Sequence, residues 1–333
     1  MVEGTVGSHH KEGSTKMSKT TTIAAGIDVA KAKLDIAVHG CNERWQVVNA
    51  PAGFRELVRL MRRHKVTRVG LEATGGYERD VVAHLREAGF AVVVLQPLQV
   101  RAFARFILCR AKSDRIDAGL IATCTSQHDR LHEAPDARFA PLTDLLTFIE
   151  QTEEDIARLK TRLEHVRDAA VRDIFLADIA RLKERRAAMI AKLVTAVREH
   201  DDLARRLDLL TSIDTIATRT AIAFLIRMPE LGRLSREQAA ALAGLAPFVH
   251  DSGKHKGERH IAGGRARLRK SVYAAALPGA FRWNKQLIAL YQRLLAAGKP
   301  HKVALVACAR KLVIYANTVL ARGTPWTPSA AIV

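Results

Sequence analysis

The sequence predicts an α/β domain followed by an α-helical one, and three observations carry that reading. Between residues 22 and 128, short β-type runs alternate with helical patterns. Between Pro141 and Pro229 there is neither glycine nor proline, and apolar residues recur there at helical spacing. From Gly244 onward the chain carries 15 Lys and Arg against only Asp251 and Glu258.

A length of 333 residues allows two domains and at least one sizeable core. With 48% hydrophobic and 26% charged residues, the composition is that of a soluble, globular protein rather than a disordered one. The formal net charge of +19 points to a polyanionic partner, and most of the excess lies in the last 90 residues. Aromatic residues are few there, so phosphate contact is expected over base stacking. Cys41, Cys109, Cys124 and Cys308 are scattered, without a C-x-x-C pair, and read as reduced thiols of a cytoplasmic protein. No run of 18 apolar residues suggests a membrane span. Residues 1–20 lack the apolar segment of a signal peptide and are set aside as a disordered leader.

In order along the chain, "TIAAGID", "KLDIAVHG" and "RWQVVNA" follow one another with tight breaks, as an antiparallel meander does. "FRELVRLMRRH" reads as a helix and "VTRVGLE" as a buried strand. A helix from about Glu78, the strand "FAVVVLQ" and helices through 98–128 complete a sandwich with a mixed sheet. In residues 140–202, Ile156, Leu159, Leu163, Val166 and Ala170 form a heptad seam, so a coiled coil or helical hairpin is expected, with an ordinary bundle as the alternative. Residues 203–326 read as helical and basic. "LLTSIDTIATRTAIAFL" resembles a helix–turn–helix pair, and Ser235 with Gln238 makes a capping box. "GGRARLRKSVYAAAL" opens a helix behind a glycine pair, where Arg265, Arg267, Arg269 and Lys270 could hold phosphate.

Four acids fall where chemistry could use them. Asp28 ends the first strand and Glu72 the fourth, while Asp114 and Asp117 lie three apart on one helix face. Together they would make an oxygen-rich site for Mg²⁺ (or Mn²⁺), suited to phosphodiester chemistry. Singly each has a plain alternative: a strand end, an ion pair, a helix cap, a solvated charge. Asp35 and Asp80 are nearby rivals, the first mid-strand and the second on a helix, and neither extends the pattern. In "FVHDSGKHKGERH", Ser252 is either a turn residue in a phosphate-binding loop or a nucleophile, with Lys254, Lys256 and Arg259 around it.

"GIDVAKAKLDIAV", "LEATGGYERDVVAHL", "AKSDRIDAGLIA" and the run from "LAGLAPFVHDSG" to "RKSVYAAAL" resemble the DEDD transposases of bacterial insertion sequences. The resemblance spans Ile23 to about Arg322. It implies an RNase H-like (RuvC-like) domain at 21–130, a coiled-coil arm and a helical transposase domain. It places the acidic tetrad on Asp28, Glu72, Asp114 and Asp117 and the family's serine on Ser252. It further implies donor and target double-stranded DNA, a structured guide RNA, a phosphoseryl–DNA intermediate and a dimer-to-tetramer assembly with a composite active site. Transposition is the expected outcome. A site-specific invertase, or a RuvC-like endonuclease using water, is the alternative. One departure is visible: where relatives carry an "IPGIG"-like hairpin, this chain has "SIDTIAT", with Asp214, Thr215 and Ala217 replacing the proline and both glycines.

Overall fold

A computed structural model describes residues 22–109, 114–128, 136–248 and 259–327, and the side chains of 114–116 lie outside that description. The chain divides into two compact units, Met1–Ala134 and Pro135–Val333.

The first unit holds β1 (Ala24–Val29), β2 (Lys33–Val38), β3 (Arg44–Val48), α1 (Pro51–Arg63), β4 (Arg68–Glu72), α2 (Arg79–Glu87), β5 (Ala91–Leu95), α3 (Pro97–Phe106) and α4 (Asp114–Ser126). The strands form one sheet in the order β3-β2-β1-β4-β5. The meander β1–β2–β3 is antiparallel, and β4 and β5 add in parallel beyond β1. Parallel strands need crossover helices, and α2 supplies one between β4 and β5. The mixed sheet with this order matches the RNase H-like expectation.

Strand alternation divides the sheet cleanly. Ala25, Ile27, Leu34, Ile36, Val69 and Leu71 point to one face, where they pack with Phe54, Leu57, Met61, Val81 and Leu85 of α1 and α2. The other face carries Gly26 and Gly70, whose missing side chains admit α4. A Cβ on Gly26 would lie 2.1 Å from the Ala122 amide nitrogen, and one on Gly70 would lie 1.8 Å from Thr125 Oγ1.

The second unit is helical: α5 (Phe139–Leu163), α6 (Ala169–Arg198), α7 (Asp201–Thr211), α8 (Thr218–Arg227), α9 (Arg236–Leu242), the two-residue strands β6 (Pro247–Phe248) and β7 (His260–Ile261), α10 (Ala266–Pro278), a π-helical turn (Gly279–Trp283), α11 (Lys285–Ala296) and α12 (His301–Arg322). The heptad seam does not stay on one helix. α5 ends at Leu163, Val166 falls in the link, and Ala170 is exposed in the first turn of α6. The break occurs where Asp168 caps α6, its carboxylate accepting from the Val171 amide at 2.9 Å. Of the two forms expected, the helical hairpin is the one present, made of α5 and α6. Its open ends belong to the unit's core, since Leu142, Leu146 and Ile149 of α5 and Leu193 and Val197 of α6 pack with α7, α8, α10 and α12. α12 is long and apolar enough to cross a membrane by length and hydropathy, yet it is the centre of this core, with Leu305, Cys308, Leu312 and Val313 fully buried. The Cys308 thiol is pushed up to about 11 by that burial.

The α7–α8 connection takes an unusual form. Thr215 has φ = 81°, the left-handed region that glycine adopts without cost. The turn therefore keeps a glycine conformation at a position where this chain has no glycine. The Ser235–Gln238 capping box forms as expected, with reciprocal bonds of 3.2 and 2.9 Å.

Candidate active site

β1 and β4 run side by side in the same direction, with Gly26 opposite Gly70 and Ile27 opposite Leu71. The next residue of each is an acid, so Asp28, the penultimate residue of β1, and Glu72, the last of β4, follow at the same level. Both share the face covered by α4, because Gly26 and Gly70, two residues earlier, face it. Ala118 and Ala122 of α4 pack against Ala37 on this face. Asp117 precedes that contact directly and Asp114 opens the helix, which brings the N-terminal turn of α4 to the acidic end of the sheet. Small residues at 26, 70, 118 and 122 are thus what allow a helix-borne acid to approach the strand-borne ones.

The loop after Glu72 is held by Glu78. Its carboxylate accepts from Thr74 Oγ1 at 2.7 Å and from the Gly76 amide at 2.8 Å, closing the turn that Gly75 and Gly76 make with positive φ. Burial works to raise the Glu78 carboxyl, but these hydrogen bonds more than reverse it and hold it below the ordinary value.

Asp35, set aside in the sequence as mid-strand, belongs to the same surface. It lies directly across from Asp28 in the β1–β2 register and is 5% exposed. Gln46 Nε2 donates to it at 2.7 Å and Lys33 Nζ approaches at 3.0 Å. The signal was available in the tight β1–β2 turn, whose length sets 28 opposite 35. Asp80 lies instead on α2.

All four tetrad members offer hard oxygen donors, the type that suits Mg²⁺ or Mn²⁺. Three of them are brought to one end of one face. Among the described residues no three His, Cys, Asp or Glu side chains close on a common point, and the side chain of Asp114 is not among them.

In the second unit, Ser252, Lys254 and Lys256 lie outside the described residues. The segment that bears them leaves from β6 and returns at β7, which pair antiparallel through Phe248 and His260. Behind β7, Gly263 and Gly264 adopt φ of 63° and 65°. A Cβ on Gly264 would lie 2.2 Å from the Gly244 amide nitrogen, so these backbones touch and only glycine fits. Arg269 Nη1 ties the clasp by donating to the Gly263 carbonyl at 2.7 Å.

The cations behind the glycine pair are engaged within the unit. Arg265 forms a fork with Glu230 at 2.6 and 2.7 Å, and Lys270 meets Glu154 at 3.3 Å. Arg267 reaches Glu150 at 2.9 Å, and the same buried carboxylate takes Arg227 at 2.7 Å. These contacts tie the start of α10 to α5 and to the Glu230 turn. Arg259 differs: it is exposed and makes no ion pair among the described residues.

Carboxylates near strand ends of a mixed sheet, in a chain of net charge +19, are an arrangement suited to phosphodiester chemistry on a polyanion. Comparison with known proteins agrees. A family model described as "Transposase" matches residues 25–171, and one described as "Transposase IS116/IS110/IS902 family" matches 207–292. The chain belongs to this transposase family, whose members cut and join DNA. It is similar to the pilin gene-inverting protein of Moraxella bovis, 26% identical over 93% of this chain and 98% of that protein. The pilin gene-inverting protein of Moraxella lacunata is 25% identical over the same shares. Thermus thermophilus RuvC in complex with a Holliday junction substrate aligns over 31% of this chain and 92% of its own, at 20% identity and a TM-score of 0.26.

Proposed function

We propose that this transposase cuts and rejoins DNA through a phosphoseryl–DNA intermediate formed by Ser252, with Asp28, Glu72, Asp114 and Asp117 holding Mg²⁺ (or Mn²⁺). The observation that carries the metal part is that Asp28 and Glu72 directly follow the last pair of adjacent parallel strands, Ile27 with Leu71, on the face covered by the helix that bears Asp117. When bound, such ions supply Lewis acidity that offsets charge developing on the phosphate. The serine assignment rests on the family resemblance and on the base of its loop, where the β6–β7 ladder and the glycine clasp hold both ends together.

In the cutting step a bond forms between Ser252 Oγ and phosphorus while one bridging P–O bond to sugar breaks. The serine proton passes to solvent and the departing sugar oxygen takes one up, so the step is neutral in protons. Attack by a sugar hydroxyl of the new partner strand reverses the exchange and frees the serine, and the bond energy is retained throughout. Lys254, Lys256 and Arg259 offset charge on the pentacoordinate phosphorus. The donor and target duplexes, a structured guide RNA and a dimer-to-tetramer assembly complete the reading by family resemblance.

Inversion is the second reading of the outcome. Relatives named for gene inversion align across nearly their whole length. A substrate carrying two sites on one molecule separates it from transposition: inversion flips the intervening segment, whereas transposition moves a segment to another molecule.

The test is a covalent-adduct assay with Mg²⁺, RNA and donor–target DNA, comparing wild type with Ser252→Ala. DNA linked to protein in the wild type and absent in the variant supports the serine intermediate. Cleavage that persists in Ser252→Ala with no adduct in either makes the chain a water-using, RuvC-like endonuclease.

A further inference from the structure

Far in sequence from the basic tail, three arginines of the first unit stand on one helix without an ion pair among the described residues. Arg55, Arg59 and Arg62 of α1 are exposed and, with His84 and Glu87 of α2 and Ala88 just after it, line a groove of about 580 Å³. Their spacing of four and three residues places them on one stripe of the helix. Seven residues of α-helix advance about 10 Å, close to the rise of three nucleotides along a duplex axis, about 3.4 Å each.

Nothing described neutralises them. Glu87 lies in the groove, and Glu56 is exposed on α1, but neither forms an ion pair with these arginines among the described residues. The remaining polar group of the lining, His84, rests its ring against Phe54 with centroids 5.7 Å apart. Helix polarity accounts for Arg62, which sits in the last turn of α1. It does not account for Arg55, in the N-terminal half. The contrast with α10 is direct, since Arg265, Arg267 and Lys270 each hold a carboxylate there.

α1 and α2 cover the sheet face made by Ala25, Ile27 and Leu71, whereas Asp28 and Glu72 point to the α4 face. We infer that the α1–α2 groove binds the phosphodiester backbone of a nucleic-acid strand through Arg55, Arg59 and Arg62, on the side of the sheet turned away from the carboxylates. A strand held there is not the one being cut at the acids of the same unit. The inference rests on the chain acting on nucleic acid, and on neither Ser252 nor a metal.

The test uses the full chain and the triple variant Arg55→Gln, Arg59→Gln, Arg62→Gln. Binding of a DNA duplex and of a hairpin RNA with the same number of phosphates is followed by anisotropy across a salt series. Each phosphate contact contributes about 0.7–0.9 to the log–log salt slope, so the variant should be shallower by about 2–3 for the polymer the groove takes. A change with one polymer identifies it, and a change with both means the groove accepts either backbone. Unchanged slopes and affinities for both polymers overturn the inference. Should the triple variant melt early, the single Arg59→Glu replaces it, with a slope change of about 1 expected. Ser252→Ala should keep the wild-type slope, so a failed serine mechanism and a failed groove are read separately.

Discussion

Asp28 and Asp35 stand directly opposite each other across the β1–β2 pair, on the sheet face that α4 covers. Directly opposed residues of antiparallel strands place their side chains side by side. A fifth carboxylate therefore adjoins the tetrad, buried and braced by Gln46 and Lys33. Asp35→Asn keeps an oxygen that can accept from Gln46, so its cost to stability should be small, under about 1 kcal/mol. It removes a negative charge beside Asp28, and the Mg²⁺ concentration for half-maximal cleavage should rise. A metal titration of cleavage checks this, and an unchanged midpoint would leave Asp35 a purely structural residue.

Gly26→Ala should be among the most damaging single-methyl additions in the first unit. The new Cβ meets backbone atoms of α4, 2.1 Å from the Ala122 nitrogen and 2.3 Å from the Ala118 oxygen. Overpacking of this kind costs about 1–3 kcal/mol or more, and here it also moves the helix that carries Asp117. Gly70→Ala meets the side chain of Thr125, so adding Thr125→Ala, which removes the 1.8 Å contact but keeps a Cβ at 2.9 Å, should recover part of its stability. Thermal melts of the three variants, read beside cleavage rates, check both expectations. Gly26→Ala with wild-type melting and activity would show that α4 does not pack this closely.

Glu230 gives the second unit a dependence on acid. Burial acts to raise its carboxyl, and the Arg265 fork more than reverses that, holding it below the ordinary value of 4.5. A carboxyl depressed in the folded state stabilises fully above its unfolded value, and the contribution fades as pH falls through the folded value. The melting difference between wild type and Glu230→Gln should therefore be full near neutrality and shrink progressively below about pH 4.5. A difference that stays constant across that range would mean the fork contributes through packing rather than charge.

Thr215→Gly should stabilise the α7–α8 turn. A left-handed residue with a Cβ costs roughly 1–2 kcal/mol, and the Thr215 hydroxyl is buried without a hydrogen-bond partner. Against this stand the backbone entropy of glycine, about 0.5–1 kcal/mol, and the loss of the Thr215 methyl, which fills the space where a Cβ on Gly279 would point. A net gain of about 1 kcal/mol is expected by thermal or denaturant unfolding. A lower melting temperature would show that the methyl contact outweighs the strain.

Much of this was legible in the sequence because its causes are local. Alternation with period two gave the strands, and the order of strands and helices implied a mixed sheet. The capping box at Ser235 and the helix behind Gly263 and Gly264 are signals confined to a few residues. Asp28 and Glu72 could be placed at strand ends because strand ends are themselves local features. The seam could not choose between a coiled coil and a helical hairpin for a related reason: spacing alone cannot reveal that Asp168 restarts the helix between Val166 and Ala170.

By itself, the sequence determined the elements, the ends at which the acids stand and the family. Tertiary structure decided which charges are available. Arg265, Arg267 and Lys270 look like a phosphate-binding stripe until Glu230, Glu150 and Glu154 are folded against them from other helices. Arg55, Arg59 and Arg62 look like an ordinary solvated helix face until α2 closes a groove over them that neutralises none. Charge is written one residue at a time, but neutralisation is a long-range contact between residues as much as 117 positions apart, and only the folded chain brings such partners together.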